Sequence, residues 1–180
     1  MQHINQKRRI YQTMQNNKIK KLVLSALFAA IICVATAVFA FPLPGNGYAN
    51  LGDCFVIICG ALVGSWWGAA AAAVGSALSD IVLSYVLYAP ATFIIKGLMA
   101  LAVYFIVKKS GSVLRVIIGA VCAEVIMVLG YFIFECFILG VGGALADIPG
   151  NAVQGVVGLV TGSVILSIFV KNKKLSAFFK

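Results

Sequence analysis

Apolar runs fill almost all of the chain between residues 22 and 170. In hydrocarbon every backbone N–H and C=O must be satisfied without water, so a segment that crosses a bilayer is a helix or part of a closed barrel. About 20 apolar residues make one helical crossing. Six segments are read, at about 22–41, 51–64, 66–85, 90–107, 113–136 and 148–170, and the second is short for a full span. Charge agrees with this reading. Only 11% of residues are charged and 62% are hydrophobic, whereas soluble domains carry roughly 25% charge. The expected fold is an all-α integral membrane protein, a bundle of six transmembrane helices. A basic arm (1–21) precedes the membrane domain (22–170) and a basic tail (171–180) follows it. The first 21 residues are polar and basic, and the apolar run after them is too long for a signal h-region, so no cleavable signal is expected.

Thirteen of the fourteen Lys and Arg lie outside the apolar segments. Lys7, Arg8, Arg9, Lys18, Lys20 and Lys21 are in the arm. Lys108, Lys109 and Arg115 flank one loop, and Lys171, Lys173, Lys174 and Lys180 are in the tail. With six spans and an inside N-terminus, all thirteen fall on the inner side, and the loops at 43–50, 86–89 and 137–147 carry none. The positive-inside rule therefore places both termini in the cytoplasm. It also accounts for the net charge of +9 without nucleic acid.

The remaining charges are the informative ones. Asp53, Asp80, Lys96, Glu124, Glu135 and Asp147 sit in or at the edge of apolar segments, where ionisable groups are costly and mark sites, ion paths or structural pairs. Depth follows from the rise of 1.5 Å per helical residue. Asp53, Glu135 and Asp147 fall at the outer rim, where water would solvate them. Asp80 and Lys96 fall roughly 8–9 Å below it, and only Glu124 is near the midplane. A conducting path needs polar groups through the full thickness. Crowding in the outer half fits a pocket open to the outside and closed below.

Candidates for that pocket follow. The first outer loop combines Pro42, Pro44 and three glycines with Tyr48, Asn46 and Asn50, and it can fold over a flat ring or simply connect two helices. Tyr85 and Tyr88 line the next outer loop or belong to the interfacial aromatic belt. Asp80 and Lys96 either form a buried pair or leave Lys96 to donate to a ligand oxygen. Asn151 and Gln154 share one helix face and can read a heterocycle edge or join helices. Small residues four apart (Gly60, Gly64, Gly68 and Ala72; Gly158 and Gly162; Ala26 and Ala30) let helices approach closely. For the first-helix pair the partner is a helix of this chain or of another membrane protein. His3 is the only histidine, and the five cysteines contain no CxxC, so neither a metal site nor a nucleophilic catalyst is expected. No cofactor is expected either.

Two stretches resemble a known family. Tyr48-Ala-Asn-Leu-Gly-Asp53 runs into a helix carrying Gly60-Ala-Leu-Val-Gly64, and Ser76-Ala-Leu-Ser-Asp80 is followed by Tyr88-Ala-Pro-Ala-Thr-Phe-Ile-Ile-Lys-Gly97. Together they resemble the substrate-binding S components of energy-coupling-factor (ECF) vitamin transporters, in the riboflavin/pyridoxine/hydroxymethylpyrimidine-type branch, over about residues 20–170. The resemblance implies capture of a vitamin or precursor at the outer face. It also implies a membrane coupling subunit docking on Ala26 and Ala30, and two cytosolic ATPases that supply the energy. The chain itself has no GxxxxGK[ST] motif, so it is not expected to be an enzyme. The expected substrate-binding residues are Tyr48, Asn50, Asp80, Tyr88, Lys96, Asn151 and Gln154. One Lys, two amides and several aromatics suit hydroxymethylpyrimidine or pyridoxine. A riboflavin-binding S component and a stand-alone secondary transporter are the alternatives.

Overall fold

The computed structural model describes residues 2–42, 48–108 and 112–171, with side chains from residue 18 onward. Asn46 of the first loop, Lys109, the side chains of Lys7, Arg8 and Arg9, and the tail beyond Lys171 lie outside the described residues. The described chain forms helices α1 (Gln2–Val38), α2 (Gly52–Leu62), α3 (Ser65–Val82), α4 (Ala89–Val107), α5 (Val113–Ile138) and α6 (Gly140–Lys171). A two-stranded antiparallel hairpin, β1 (Phe41–Pro42) with β2 (Tyr48–Ala49), pairs Phe41 with Ala49 and Pro42 with Tyr48. Four helical stretches are long and apolar enough to cross a membrane: Lys18–Val38, Ala89–Val107, Val113–Ile138 and Gly140–Lys171.

The short second segment is the centre of the bundle. Its eleven residues are apolar on nearly every face, and α2 touches each of the other five helices. Val56, Ile57 and Cys59 are fully enclosed. An all-round apolar helix is a buried one, so its shortness reflects a central position. At its end Gly64 adopts φ +68° and turns the chain directly into α3, a conformation that costs glycine little.

Packing relies on small residues, because lipid and protein interior are equally apolar and close approach must supply the attraction. A Cβ at Gly60 would lie 2.5 Å from the Ala100 carbonyl oxygen of α4, and one at Gly75 would lie 2.5 Å from that of Ala29 on α1. Gly162 sits against Ile57. The glycine rows on α2 and α6 are thus consumed inside the bundle. On α1 the inner face holds Ser25, Ile32, Ala35 and Thr36, while Ala26 and Ala30 are exposed beside Val23, Leu27 and Val34.

α1 runs without a break from Gln2 through the basic arm into the first span. One expectation needs correction: the expected loop over 137–147 is almost wholly helical. α5 continues to Ile138 and α6 starts at Gly140, whose φ of +74° makes the reversal. That segment lacks charge until Asp147, and its small apolar residues continue the helix, with Ala144 buried. Pro149 lies inside α6 and leaves the Leu145 carbonyl without its helical donor.

Candidate functional site

Five elements meet at the hairpin end of the bundle around one cavity. Tyr48 and Asn50 come from β2 and the residue after it, Asp80 from α3, and Tyr88 and Thr92 from the start of α4. Tyr131 and Glu135 belong to α5, and Asn151 to α6. Helical spacing explains the convergence. Thr92 and Lys96 are four apart on α4, Tyr131 and Glu135 four apart on α5, and Asp147, Asn151 and Gln154 continue one stripe on α6. Residues so spaced share a face, and all of them point into the bundle.

Tyr48 lines the cavity. Its hydroxyl donates to Asp80 Oδ1 at 2.5 Å and lies 3.5 Å from Ser79 Oγ. Its ring lies 4.8 Å from that of Tyr85, which meets Tyr88 edge-on at 6.2 Å; Tyr88 in turn meets Phe134 at 5.3 Å. Burial first, and then the Asp80 charge, push the Tyr48 hydroxyl well above the ordinary tyrosine range. It therefore stays protonated and serves as a donor. Burial, then Glu135 and Asp147, raise Tyr88 in the same direction. Thr92 Oγ1 and Tyr131 Oη are 3.0 Å apart on the opposite wall. The space between these side chains is about 10 Å³, room for about one water, so a ring enters only after lining side chains move apart.

Beneath the cavity lies a second polar layer. Lys96 of α4 forms an ion pair with Asp53 Oδ1 of α2, and Gln154 Nε2 of α6 donates to Asp53 Oδ2 at 2.6 Å. Gln154 Oε1 accepts from the Asn50 backbone N–H at 2.9 Å and from Asn50 Nδ2 at 3.3 Å. Asn50 Oδ1 in turn accepts the Gly52 N–H at 2.8 Å, an Asx turn that opens α2. Asp53 stands in the first turn of α2, where the helix dipole favours a negative charge. The hairpin is therefore tied through Asn50 and Gln154 to a charge pair within the bundle. Lys96 Nζ also lies 5.4 Å from the Tyr131 ring centroid, so one aromatic side chain contributes to both layers.

The arrangement differs from the sequence reading in three respects. Lys96 pairs with Asp53 and not with Asp80, because α4 packs its Lys96 face against α2. Asp53, Glu135 and Asp147 are buried (0, 2 and 0% exposed) and do not lie at a solvated rim; Asp53 is enclosed by Lys96 of α4 and Gln154 of α6. Of the expected site residues, Tyr48, Asn50, Asp80, Tyr88 and Asn151 line the cavity, whereas Lys96 and Gln154 belong to the layer below. Thr92, Tyr131 and Glu135 were missed as lining residues. The four-residue spacing from Lys96 to Thr92 and from Glu135 to Tyr131 was the available signal.

Glu124 is buried deeper in the same stack. Gly155 and Gly158 of α6 make room for it, and a Cβ at Gly158 would collide with Glu124 Oε1 while standing 2.8 Å from Asp53 Cβ. Neither carboxyl oxygen of Glu124 has a hydrogen-bond partner among the described residues. Further along, Val103, Val107, Val116 and Leu166 form a closed apolar core. Among the described residues no group of three or more His, Cys, Asp or Glu is disposed to hold a metal ion.

Comparison with known proteins gives the same direction. The family described as the S component of the ECF-type riboflavin transporter matches residues 16–171. The chain is 28% identical over 169 residues to the thiamine precursor transporter HmpT of Lactococcus lactis subsp. cremoris, a match covering 93% of this chain and 98% of that protein. It is also 35% identical over 132 residues to an uncharacterized protein of Pyrococcus woesei, covering 73% of this chain and 88% of the relative.

Proposed function

The chain belongs to the family of ECF-type riboflavin transporter S components, and from that premise we propose that it captures one small water-soluble vitamin or precursor in the cavity at the hairpin end. It is a multi-pass protein of the cell membrane and a substrate-binding component of a transporter. The observation that carries the proposal is the cavity itself. Elements far apart in sequence bring eight side chains, seven of them able to hydrogen-bond through carboxyl, amide or phenol groups, around one enclosed point. Tyr48, Asn50, Asp80, Tyr88 and Asn151 contact the ligand in this reading, and Lys96 and Gln154 hold the floor beneath it.

The preferred ligand is of the hydroxymethylpyrimidine or pyridoxine type. The printed function of the Lactococcus relative supports a thiamine precursor, and the polar wall suits a small hydroxylated heterocycle. Riboflavin is the second reading, favoured by the description of the matching family. A stand-alone secondary transporter is disfavoured because, among the described residues, the buried ionisable groups stop near Glu124 above an apolar core. In the proposed arrangement six helices span the bilayer, and the basic arm, the 108–115 loop and the tail face the cytoplasm by the positive-inside rule. The hairpin then faces outward. Uptake is driven by a coupling subunit, docked on the exposed Ala26 and Ala30 face of α1, and by two cytosolic ATPases. Mass spectrometry of the ligand that co-purifies with the full-length chain tests the reading. A vitamin or precursor at one per chain is expected. Flux in liposomes that hold this chain alone, with no bound vitamin, would overturn it.

A further inference from the structure

The end of the bundle opposite the hairpin carries a groove of another kind. α5 starts there at Val113 and α6 ends there at Lys171, about 30 Å along α6 from Asn151 of the cavity. Between the two helices runs a surface groove of about 350 Å³. Val113 and Ile117 on one side and Val164 and Ile168 on the other make its walls apolar. Ser163, Ser167 and Lys171 follow it at four-residue spacing and so share one face of α6. Two other grooves on the outside of the bundle, one around Val125 and Val156 and one around Ala69 and Leu98, have no basic residue. Acyl chains alone satisfy those two.

The polar groups of the α5–α6 groove call for more. Ser25, Ser79 and Thr161 each donate to a backbone carbonyl of their own helix, a common solution for a hydroxyl in a helix. Ser163 is 9% exposed, and its Oγ has no hydrogen-bond partner among the described residues. At the mouth, α5 presents its N-terminus. Ser112 caps it, with Oγ accepting the Arg115 N–H at 3.3 Å and the carbonyl accepting the Val116 N–H at 3.1 Å. The N–H groups of Val113 and Leu114 have no partner within the helix, and the helix dipole favours an anion beside them. Lys171 adds a full positive charge from α6. An apolar slot with serine hydroxyls along it and an anion-binding mouth matches acyl chain, ester oxygens and phosphate, in that order. We propose that this groove holds one anionic phospholipid. Its phosphate sits between Lys171 and the start of α5, its ester oxygens accept from the serines, and one acyl chain lies between the valine and isoleucine walls. Basic pockets between membrane helices bind anionic headgroups on the same principle. The bound lipid fills the seam between the two helices that carry Glu135 and Asn151 of the cavity.

The test is native mass spectrometry of the full-length chain released from detergent. The probes are phosphatidylglycerol, phosphatidylcholine with the same acyl chains, and inorganic phosphate. One phosphatidylglycerol per chain should be retained, at least about tenfold more tightly than phosphatidylcholine. Lys171→Gln should weaken that retention by about fivefold, the effect of one lysine beside an anionic headgroup. Ser167→Phe, which fills the slot, should weaken it at least as much. Lys108→Gln is the control. Lys108 lies near the same end of the bundle but outside the groove, with its ammonium 5.2 Å from the Tyr104 ring centroid, and its loss should leave retention unchanged. Equal retention of phosphatidylcholine overturns the proposal, as does unchanged retention in Lys171→Gln or Ser167→Phe. An equal loss in Lys108→Gln reduces the effect to a general attraction to basic residues and overturns it too. Displacement of the lipid by inorganic phosphate at equal concentration would make the groove a phosphate site and not a lipid site.

Discussion

Lys96 on α4 and Asp53 on α2 form an ion pair that is almost wholly enclosed, at 2 and 0% exposure. Each charge is compensated locally, since Gln154 takes the second Asp53 oxygen and the Tyr131 ring lies beside the ammonium. Removing one partner of a buried pair leaves the other uncompensated, at about 3–5 kcal/mol, whereas replacing both is often close to neutral. Lys96→Met should therefore lower thermal stability markedly, and the double variant Lys96→Met/Asp53→Asn should recover most of the loss. The unfolding temperatures of the two variants in one detergent decide it. A single variant as stable as the parent would show that the pair contributes nothing.

Gly158 tests the floor from another direction. Its missing Cβ leaves the space taken by Glu124 Oε1 and Asp53 Cβ. Gly158→Ala should destabilise the bundle by about 1–3 kcal/mol through overpacking. Adding Glu124→Ala removes one of the two obstacles, so the double variant should be less destabilised than the sum of the single changes. Additive losses in thermal unfolding would separate Gly158 from Glu124.

The same stack shows how far the sequence could be read. Helix number, the compact α2 and the crowding of polar residues toward one end follow from hydropathy and spacing, because apolar length and period are written residue by residue. Burial at the helix ends was not legible. Counting 1.5 Å per residue measures distance along a helix. It carries no information on the α4 and α6 side chains that enclose Asp53 or on the early start of α6 that takes Asp147 into a helix. The partner of Lys96 was misread for a related reason. Asp80 and Lys96 lie on consecutive helices, but pairing is decided by which faces meet. The α2–α4 contact is set by Gly60 against the Ala100 backbone, a close approach that no spacing rule places between those two helices.

Tyr48 gives a pH-dependent prediction. Its hydroxyl is raised above the ordinary tyrosine value near 10 by burial and by Asp80. Below that value the phenol is neutral in both folded and unfolded chains, and its full contribution to stability is present. Above it the unfolded chain releases the proton while the folded chain retains it, so stability falls by up to about 1.4 kcal/mol per pH unit. The parent should therefore lose stability more steeply than Tyr48→Phe as pH rises above about 10. Parallel curves of unfolding temperature against pH would contradict the enclosed, donating phenol.

Ala26 separates capture from transport. It lies on the exposed face of α1 with Ala30, away from the cavity. A coupling subunit that uses this face needs small residues for close helix approach. Ala26→Trp adds bulk where this chain has no neighbour to displace, so binding of the co-purifying ligand and the unfolding temperature should match those of the parent. Vitamin uptake by cells carrying the complete transporter should fall by at least about tenfold, the effect of losing about 1.4 kcal/mol of association free energy. Normal uptake with a stably inserted Ala26→Trp chain would move the docking surface elsewhere. Loss of ligand binding would instead tie the Ala26 face of α1 to the cavity, which it does not line.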